Sequence, residues 1–371
     1  MEVISLYNIQ EIFKSFDPPV MSIDQNKAFH AIKSCRTSAL SSHVFRCENC
    51  NQDTILYNSC RNRHCPICQG SKQYEWVDKQ LLKLLPVPYF HIVFTVPYEL
   101  NSIILQNQSL LYGILIKSAA DTLKELALDG KYLGAQIGIT SVLHTWGQNL
   151  SYHPHLHCIV PGGGLSRDGL SFVSSRKKFF IPVKVVSRKF RGKFLYLLNQ
   201  AYNSSKLKLF GDSSNYLLPA DFQSFKDSLY KKDWVVYSKK PFKSPFHVVK
   251  YLGRYTHRVA ISNARIKNFD KDSVTFEYKD YKDKSQKKLM KLAGPEFIRR
   301  FLLHVLPSGF TKIRHYGILS SVNISTKLLR CMKLLRYKPN ISEVQRSPMK
   351  CPVCGCDILP KSKPDRALVP S

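Results

Sequence analysis

The sequence predicts an α+β protein that begins with a cysteine-rich metal module, and three observations predict it. Two Cys-x-x-Cys knuckles, Cys47–Cys50 and Cys65–Cys68, stand close together near the start. Runs of β-branched and aromatic residues over 89–96 and 136–146 have the character of strands. Apolar residues at helical spacing, as over 103–128, mark helices between them.

Composition narrows the function. The chain has 371 residues, enough for two or three domains, and 44% of them are hydrophobic, so a folded core is expected rather than disorder. Lys and Arg total 56 against 26 Asp and Glu, a net charge of +30, which favours a polyanionic partner. The basic residues are spread among 19 Tyr and 21 Phe rather than gathered in a tail, the footprint of nucleic-acid binding. Glu2, Glu11 and Lys14 interrupt the apolar positions of the opening segment, so it reads as a helix and not as a signal peptide. No apolar run is long enough to span a bilayer. The expectation is a soluble intracellular protein with no membrane partner. In a reducing compartment its 11 Cys read as metal ligands before disulfides.

Taken in order, residues 1–85 form an N-terminal helical and cysteine region. It closes on a helical pattern of Trp76, Val77, Leu81, Leu82 and Leu85, punctuated by Pro86 and Pro88. Residues 86–306 form the central domain. It opens with a strand over Tyr89–Val96, ended by Pro97, followed by a helix over Ile103–Leu128. Strands over Gln136–Trp146 and Leu156–Val160, joined by a short polar segment, are set to pair antiparallel. Pro161-Gly162-Gly163-Gly164 stops the second. A basic stretch including Arg176, Arg188, Lys189, Arg191 and Lys193 leads into another helix. A helix over Phe246–His257, a strand over Ser273–Tyr278 and a helix over Pro295–Val305 complete the domain. Residues 307–371 read as a basic C-terminal tail with its own knuckle, Cys351-Pro352-Val353-Cys354.

Two knuckles a short loop apart complete a tetrahedral zinc site, since each sets two thiolates on one side of a tight turn. The expected ligands are Cys47, Cys50, Cys65 and Cys68, with Zn²⁺ in a structural role. Cys60 and His64, with Cys35 and His43, are candidates for a second site or an alternative ligand set. Arg61 and Arg63 beside them are candidate DNA contacts. The C-terminal knuckle lacks an obvious partner pair; His315 and Cys331 are candidates.

The chemistry concentrates in the segment from His144 to Val160. His155 and His157 are two apart on a strand, so both imidazoles face one side while Leu156 faces the other. That spacing suits two ligands of one ion, and Gln148, on the preceding strand or its turn, is the expected third. His153 and His144 are expected behind the ligands, not among them. Tyr251 and Tyr255 stand at i and i+4 of a helix and share a face, beside Arg254, His257 and Arg258. A phenol with an ordinary pKa of about 10 attacks a phosphate only with help from a basic environment or a metal.

At these residues the sequence resembles the insertion-sequence-91 family of transposases, within the wider class of His-hydrophobe-His (HUH) single-strand endonucleases. Four blocks carry the resemblance: Ser59–Gln69, His144–Gly164, Tyr251–Asn263 and Gly309–Gly317. The resemblance implies an HUH nuclease core, an antiparallel sheet flanked by helices, behind an N-terminal zinc-binding domain. It implies that His155, His157 and Gln148 hold a catalytic Mg²⁺ or Mn²⁺, and that Tyr251 and Tyr255 match the nucleophile block, with Tyr255 the one expected if only one acts. Arg254 and Arg258 in that block are candidate DNA contacts.

The function so implied is rolling-circle transposition. The enzyme nicks and transfers single-stranded or locally melted DNA at the ends of a mobile element, through a covalent 5′-phosphotyrosine, in the nucleoid of a bacterial cytoplasm. Rival expectations are a rolling-circle replication initiator or relaxase and, from another class, a non-enzymatic zinc-dependent nucleic-acid-binding protein.

Overall fold

The computed structural model describes residues 7–175, 181–242, 248, 253, 260–281, 283–339 and 349–358. Its helices are α1 (Ile9–Ser15), α2 (Ile23–Ser34), α3 (Pro66–Leu81), α4 (Asn101–Gln106), α5 (Gln108–Leu128), α6 (Val183–Asn203), α7 (Pro219–Lys231), α8 (Gly294–Leu302) and α9 (Leu329–Leu334). Its strands are β1 (Ser42–Arg46), β2 (Asp53–Tyr57), β3 (Tyr89–Thr95), β4 (Ala135–Trp146), β5 (Tyr152–Pro161), β6 (Gly163–Ser166) and β7 (Phe172–Ser174) in the first half of the chain. The rest are β8 (Val236–Phe242), β9 (Ile266–Phe269), β10 (Ser273–Asp280), β11 (Gln286–Ala293), β12 (Ile313–Gly317), β13 (Met349–Lys350) and β14 (Asp357–Ile358). The class is α+β, and every strand pairing among the described residues is antiparallel.

The chain divides into two units. The first takes the described residues within 1–74, 257–305 and 341–371, and the second those within 75–256 and 306–340. This division differs from the three consecutive regions expected from sequence. The C-terminal cysteine hairpin joins the unit that contains the N-terminal knuckle, and 306–340 joins the sheet unit.

In the first unit, α1 and α2 pack through aromatic contacts. Phe13 stacks on Phe29 at 5.2 Å and meets Phe301 of α8 edge-on. Ser22 and Gln25 form a reciprocal cap at the start of α2, and the Gln25 amide also donates to the Leu302 carbonyl. Gly294 opens α8 because a Cβ there would lie 2.2 Å from the Phe16 ring. β9, β10 and β11 form a three-stranded sheet, while β1–β2 and β13–β14 are separate hairpins.

The second unit is built on one sheet in the order β7-β6-β4-β5-β3-β8, with β12 also on β4. β4 is long enough for one edge to take two partners: β6 along Ala135–Ile137 and β12 along Gly138–Val142. One sheet face carries Phe90, Ile92, Phe94, Leu143, Leu156, Cys158 and Val160, packed into a core with α5 and α6. Each fully buried Phe or Leu there contributes about 1.5–3 kcal/mol. The other face carries Tyr89, Val142 and Ile159, packed against Leu84, Leu85, Leu319 and Met332. Burial on both faces explains why β3 reads as a continuous apolar run and not as alternation.

The helix expected over 103–128 is two helices. Asn107 breaks it with backbone angles that are neither helical nor extended (φ −128°, ψ 39°) and holds the chain at Lys208, its amide donating to the Lys208 carbonyl and its oxygen accepting from the Lys208 N–H. Part of the basic stretch is internally engaged. Lys189 and Lys193 of α6 both pair with Glu125, and Arg191 lies over the Tyr230 ring.

Candidate functional site

The strand register builds the site. Val93 of β3 and Val142 of β4 both stand opposite His157, and His144 stands opposite His155. Directly opposed residues share a sheet face, as do residues two apart on one strand. His144, His155 and His157 therefore converge, joined by His91, which is two residues from Val93. The rings of His144 and His157 are 4.4 Å apart, those of His155 and His157 4.9 Å, and those of His144 and His155 5.4 Å. One ring nitrogen from each of the three lies within 4.8 Å of the others, close enough for one ion.

Hydrogen bonds set the tautomers. The His155 Nδ1–H donates to the His153 carbonyl at 2.7 Å, which leaves Nε2 as its lone-pair nitrogen. The Nδ1 of His157 lies 2.7 Å from Nε2 of His91, so a proton on His157 Nδ1 likewise leaves its Nε2 open. His144 is buried and stacks on Trp146 at 4.6 Å. Burial pushes the His155 imidazole down to about 4, so it is neutral and ligand-ready at neutral pH.

Sequence reasoning placed the imidazole pair and missed its companions. His144 stands with the pair rather than behind it, and His91 was not singled out. Gln148 stands in the turn between β4 and β5, half-buried. Tyr251, Tyr255, Arg254 and Arg258 lie outside the described residues. Val248, three residues before Tyr251, is described. It is buried with Val142 and Ile159, next to the histidines on their own sheet face.

The cysteines regroup. Cys65 and Cys68 do not share a cluster with Cys47 and Cys50. Their companions are Cys35 and Cys60, with all four sulfurs within 4.8 Å of one another. Cys35 ends α2, Cys60 follows β2, and Cys65 and Cys68 flank the start of α3, where Pro66 occupies the first helical position. The Cys35–Cys68 and Cys60–Cys68 sulfurs are 3.6 Å apart. Hydrogen bonding from Cys65, then from the Asn62 backbone and the other thiols, pulls Cys60 down to about 5 against the cost of burial. His64 is buried beside the cluster without joining it, and its backbone N–H donates to the Asn62 side chain. Arg61 is exposed, in the left-handed backbone region (φ 55°), and burial lowers the pKa of Arg63, opposed by Asp24. Cys47 and Cys50 group instead with Cys351 and Cys354. Of the expected partners for that C-terminal knuckle, His315 bonds Thr140 and Cys331 is buried in the apolar cluster under the histidine face.

Residues 138–326, which span the histidine segment and β12, match the family described as "Putative transposase", and residues 8–96 match the "Transposase zinc-binding domain". The chain is similar to "Putative transposase y4qJ" of Sinorhizobium fredii, at 44% identity over 349 residues, 90% of this chain and 88% of that one. It is also similar to the transposase for insertion sequence element IS801 of Pseudomonas savastanoi pv. phaseolicola, at 29% identity over 297 residues, 78% of this chain and 68% of that one. No solved structure matches. No helix among the described residues is long and apolar enough to cross a membrane. With the transposase zinc-binding domain matched over residues 8–96, a transposase family matched over 138–326 and a relative 44% identical over most of both chains, the chain belongs to the insertion-sequence-91 family of transposases.

Proposed function

We propose that this transposase nicks and transfers single-stranded DNA by a metal-dependent tyrosine mechanism, at the ends of a mobile element. The observation that carries the proposal is the convergence of His144, His155 and His157 on one face of the sheet. Three imidazoles form a donor set for a divalent ion, and nitrogen ligands suit Mn²⁺ better than Mg²⁺. When bound, the ion supplies charge neutralisation at the non-bridging oxygens of a scissile phosphate.

The chain's own groups do the rest. His153 and His91 hold the His155 and His157 rings with Nε2 outward. A phenolate from Tyr251 or Tyr255 attacks phosphorus, the bond to the 3′-oxygen breaks, and that oxygen takes up a proton. The products are a 5′-phosphotyrosine and a free 3′-OH. The link retains a phosphodiester, so rejoining needs no nucleotide hydrolysis, and the free 3′-OH can prime replication in a rolling-circle manner. Val248 on the histidine face supports bringing the tyrosine segment to this site. Cys35, Cys60, Cys65 and Cys68 hold a structural zinc in the N-terminal domain. The excess of Lys and Arg over Asp and Glu, 56 against 26, with exposed Arg61 among the basic residues, favours contacts to phosphate.

The test is nicking of a labelled single-stranded oligonucleotide from the element's end, with Mn²⁺ or Mg²⁺. Wild-type protein should nick only with metal. His155→Ala and His157→Ala should each lose nicking while retaining salt-sensitive DNA binding. Undiminished nicking by either variant would overturn the metal site.

A further inference from the structure

The second cysteine cluster draws on the two ends of the sequence. β1 and β2 form a hairpin whose turn is Cys47-Glu48-Asn49-Cys50-Asn51, and β13 and β14 form one whose turn is Cys351-Pro352-Val353-Cys354-Gly355. The two turns are built alike. The residue after the second cysteine is left-handed in both, Asn51 at φ 52° and Gly355 at φ 73°. Its N–H donates to the carbonyl of the first cysteine at 2.9 Å in both, Asn51 to Cys47 and Gly355 to Cys351. The N–H of that first cysteine donates five residues ahead in both, Cys47 to the Gln52 carbonyl at 2.9 Å and Cys351 to the Cys356 carbonyl at 2.7 Å.

The knuckles face each other crosswise. Cys47 Sγ lies 3.6 Å from Cys354 Sγ, and Cys50 Sγ lies 3.7 Å from Cys351 Sγ. All four sulfurs lie within 4.8 Å of one another. Thiolates around a tetrahedral zinc, each at about 2.3 Å, stand about 3.8 Å apart. Disulfide-bonded sulfurs stand about 2.05 Å apart. The separations match the edges of a zinc tetrahedron, and all four cysteines are free thiols. The zinc-binding domain matched in this chain covers residues 8–96, so it contains only half of this ligand set.

We propose that Cys47, Cys50, Cys351 and Cys354 bind a second zinc ion between two knuckle hairpins, fastening the C-terminal hairpin to the N-terminal module. Neither knuckle holds the ion alone, because each supplies two of four ligands. The C-terminal cysteines thereby complete a site whose other half lies about 300 residues earlier in the sequence.

The experiment uses full-length, zinc-loaded protein, read by zinc content and by peptide-resolved alkylation with N-ethylmaleimide. Wild type should hold two zinc ions per chain, with Cys47, Cys50, Cys351 and Cys354 slow to react. Cys351→Ser combined with Cys354→Ser should remove one ion and make Cys47 and Cys50 reactive, while Cys35, Cys60, Cys65 and Cys68 stay protected. Cys65→Ser with Cys68→Ser removes the other ion and so tests the first cluster separately. Unchanged zinc content, or continued protection of Cys47 and Cys50 in the Cys351/Cys354 double variant, would overturn the proposal. Should that variant expose every cysteine, Co²⁺ titration of the metal-stripped wild type decides. Saturation of the thiolate-to-metal bands at two equivalents supports the second site, and saturation at one refutes it.

Discussion

His157 is held by another imidazole: its Nδ1 lies 2.7 Å from Nε2 of His91, and the two rings are 11° from parallel. They occupy diagonal positions on paired strands, since Val93 stands opposite His157 and His91 opposite Ile159. Both are buried, so neither ring can turn without breaking this bond. A ligand imidazole anchored through its far nitrogen is more basic and better oriented toward a metal.

His91→Phe should therefore weaken Mn²⁺ binding about 10–100-fold while sparing DNA binding. The Mn²⁺ dependence of nicking checks this. The half-saturating concentration should rise, with most of the maximal rate recovered at high Mn²⁺, and His91→Gln should retain more affinity than His91→Phe. An unchanged Mn²⁺ dependence would show that the His91 contact does not tune the ligand.

Stability should fall in mild acid through His315. Burial, with Lys83 nearby, pushes its imidazole down to about 4 from an ordinary 6.5. The unfolded chain then binds a proton that the folded chain refuses, so this contribution is complete above about pH 6.5 and is lost as pH falls toward 4. Its full size is on the order of 3 kcal/mol, of which about 2 kcal/mol is already lost at pH 5. Urea unfolding at pH 7 and pH 5 should show a smaller loss in His315→Gln than in wild type. Equal losses would mean that His315 titrates normally in the folded protein.

Gly317 ends β12 in the left-handed region at φ 62°, and a Cβ there would fall 1.8 Å from the Ile137 carbonyl oxygen. That oxygen also accepts the Ile318 N–H, so neither side can give way cheaply. Gly317→Ala should cost about 2–4 kcal/mol and loosen β12 from β4. Gly130→Ala, whose added Cβ meets open space, should change stability by less than about 1 kcal/mol. Urea midpoints of the two variants make the comparison.

The strands around the site were legible because their signals are local. The runs at 89–96 and 136–146 correspond to β3 and β4, and alternation along His155-Leu156-His157 places both imidazoles on one face. The third imidazole was hidden by a bulge. Counting back from the Trp146–Tyr152 pair puts Pro154 opposite His144. An extra residue in β5 shifts the register so that His155 stands there instead. One slipped residue exchanges sheet faces, and nothing in the local composition announces it. Asn107 misled in the same way, because its helix-breaking role rests on Lys208, a hundred residues away.

The cysteines show a different limit. Spacing identifies a knuckle but not its partner, because four thiolates are joined by the fold and not by proximity in sequence. Cys47–Cys50 and Cys65–Cys68 are neighbours along the chain, yet each completes its cluster elsewhere. Likewise β12 lies in what reads as a basic tail. Its Ile313–Gly317 backbone is recruited by the free edge of β4, a property of the sheet and not of the segment.

The most direct measurement is covalent capture. Full-length protein is incubated with Mn²⁺ and a 3′-labelled single-stranded oligonucleotide spanning the element's end, then denatured, and the protein–DNA adduct is mapped by peptide mass spectrometry. The predicted result is DNA attached through a 5′-phosphate to Tyr251 or Tyr255, dependent on His155 and His157 and abolished in Tyr251→Phe with Tyr255→Phe. An adduct that survives that double substitution, or cleavage that leaves no covalent intermediate, would contradict the tyrosine mechanism.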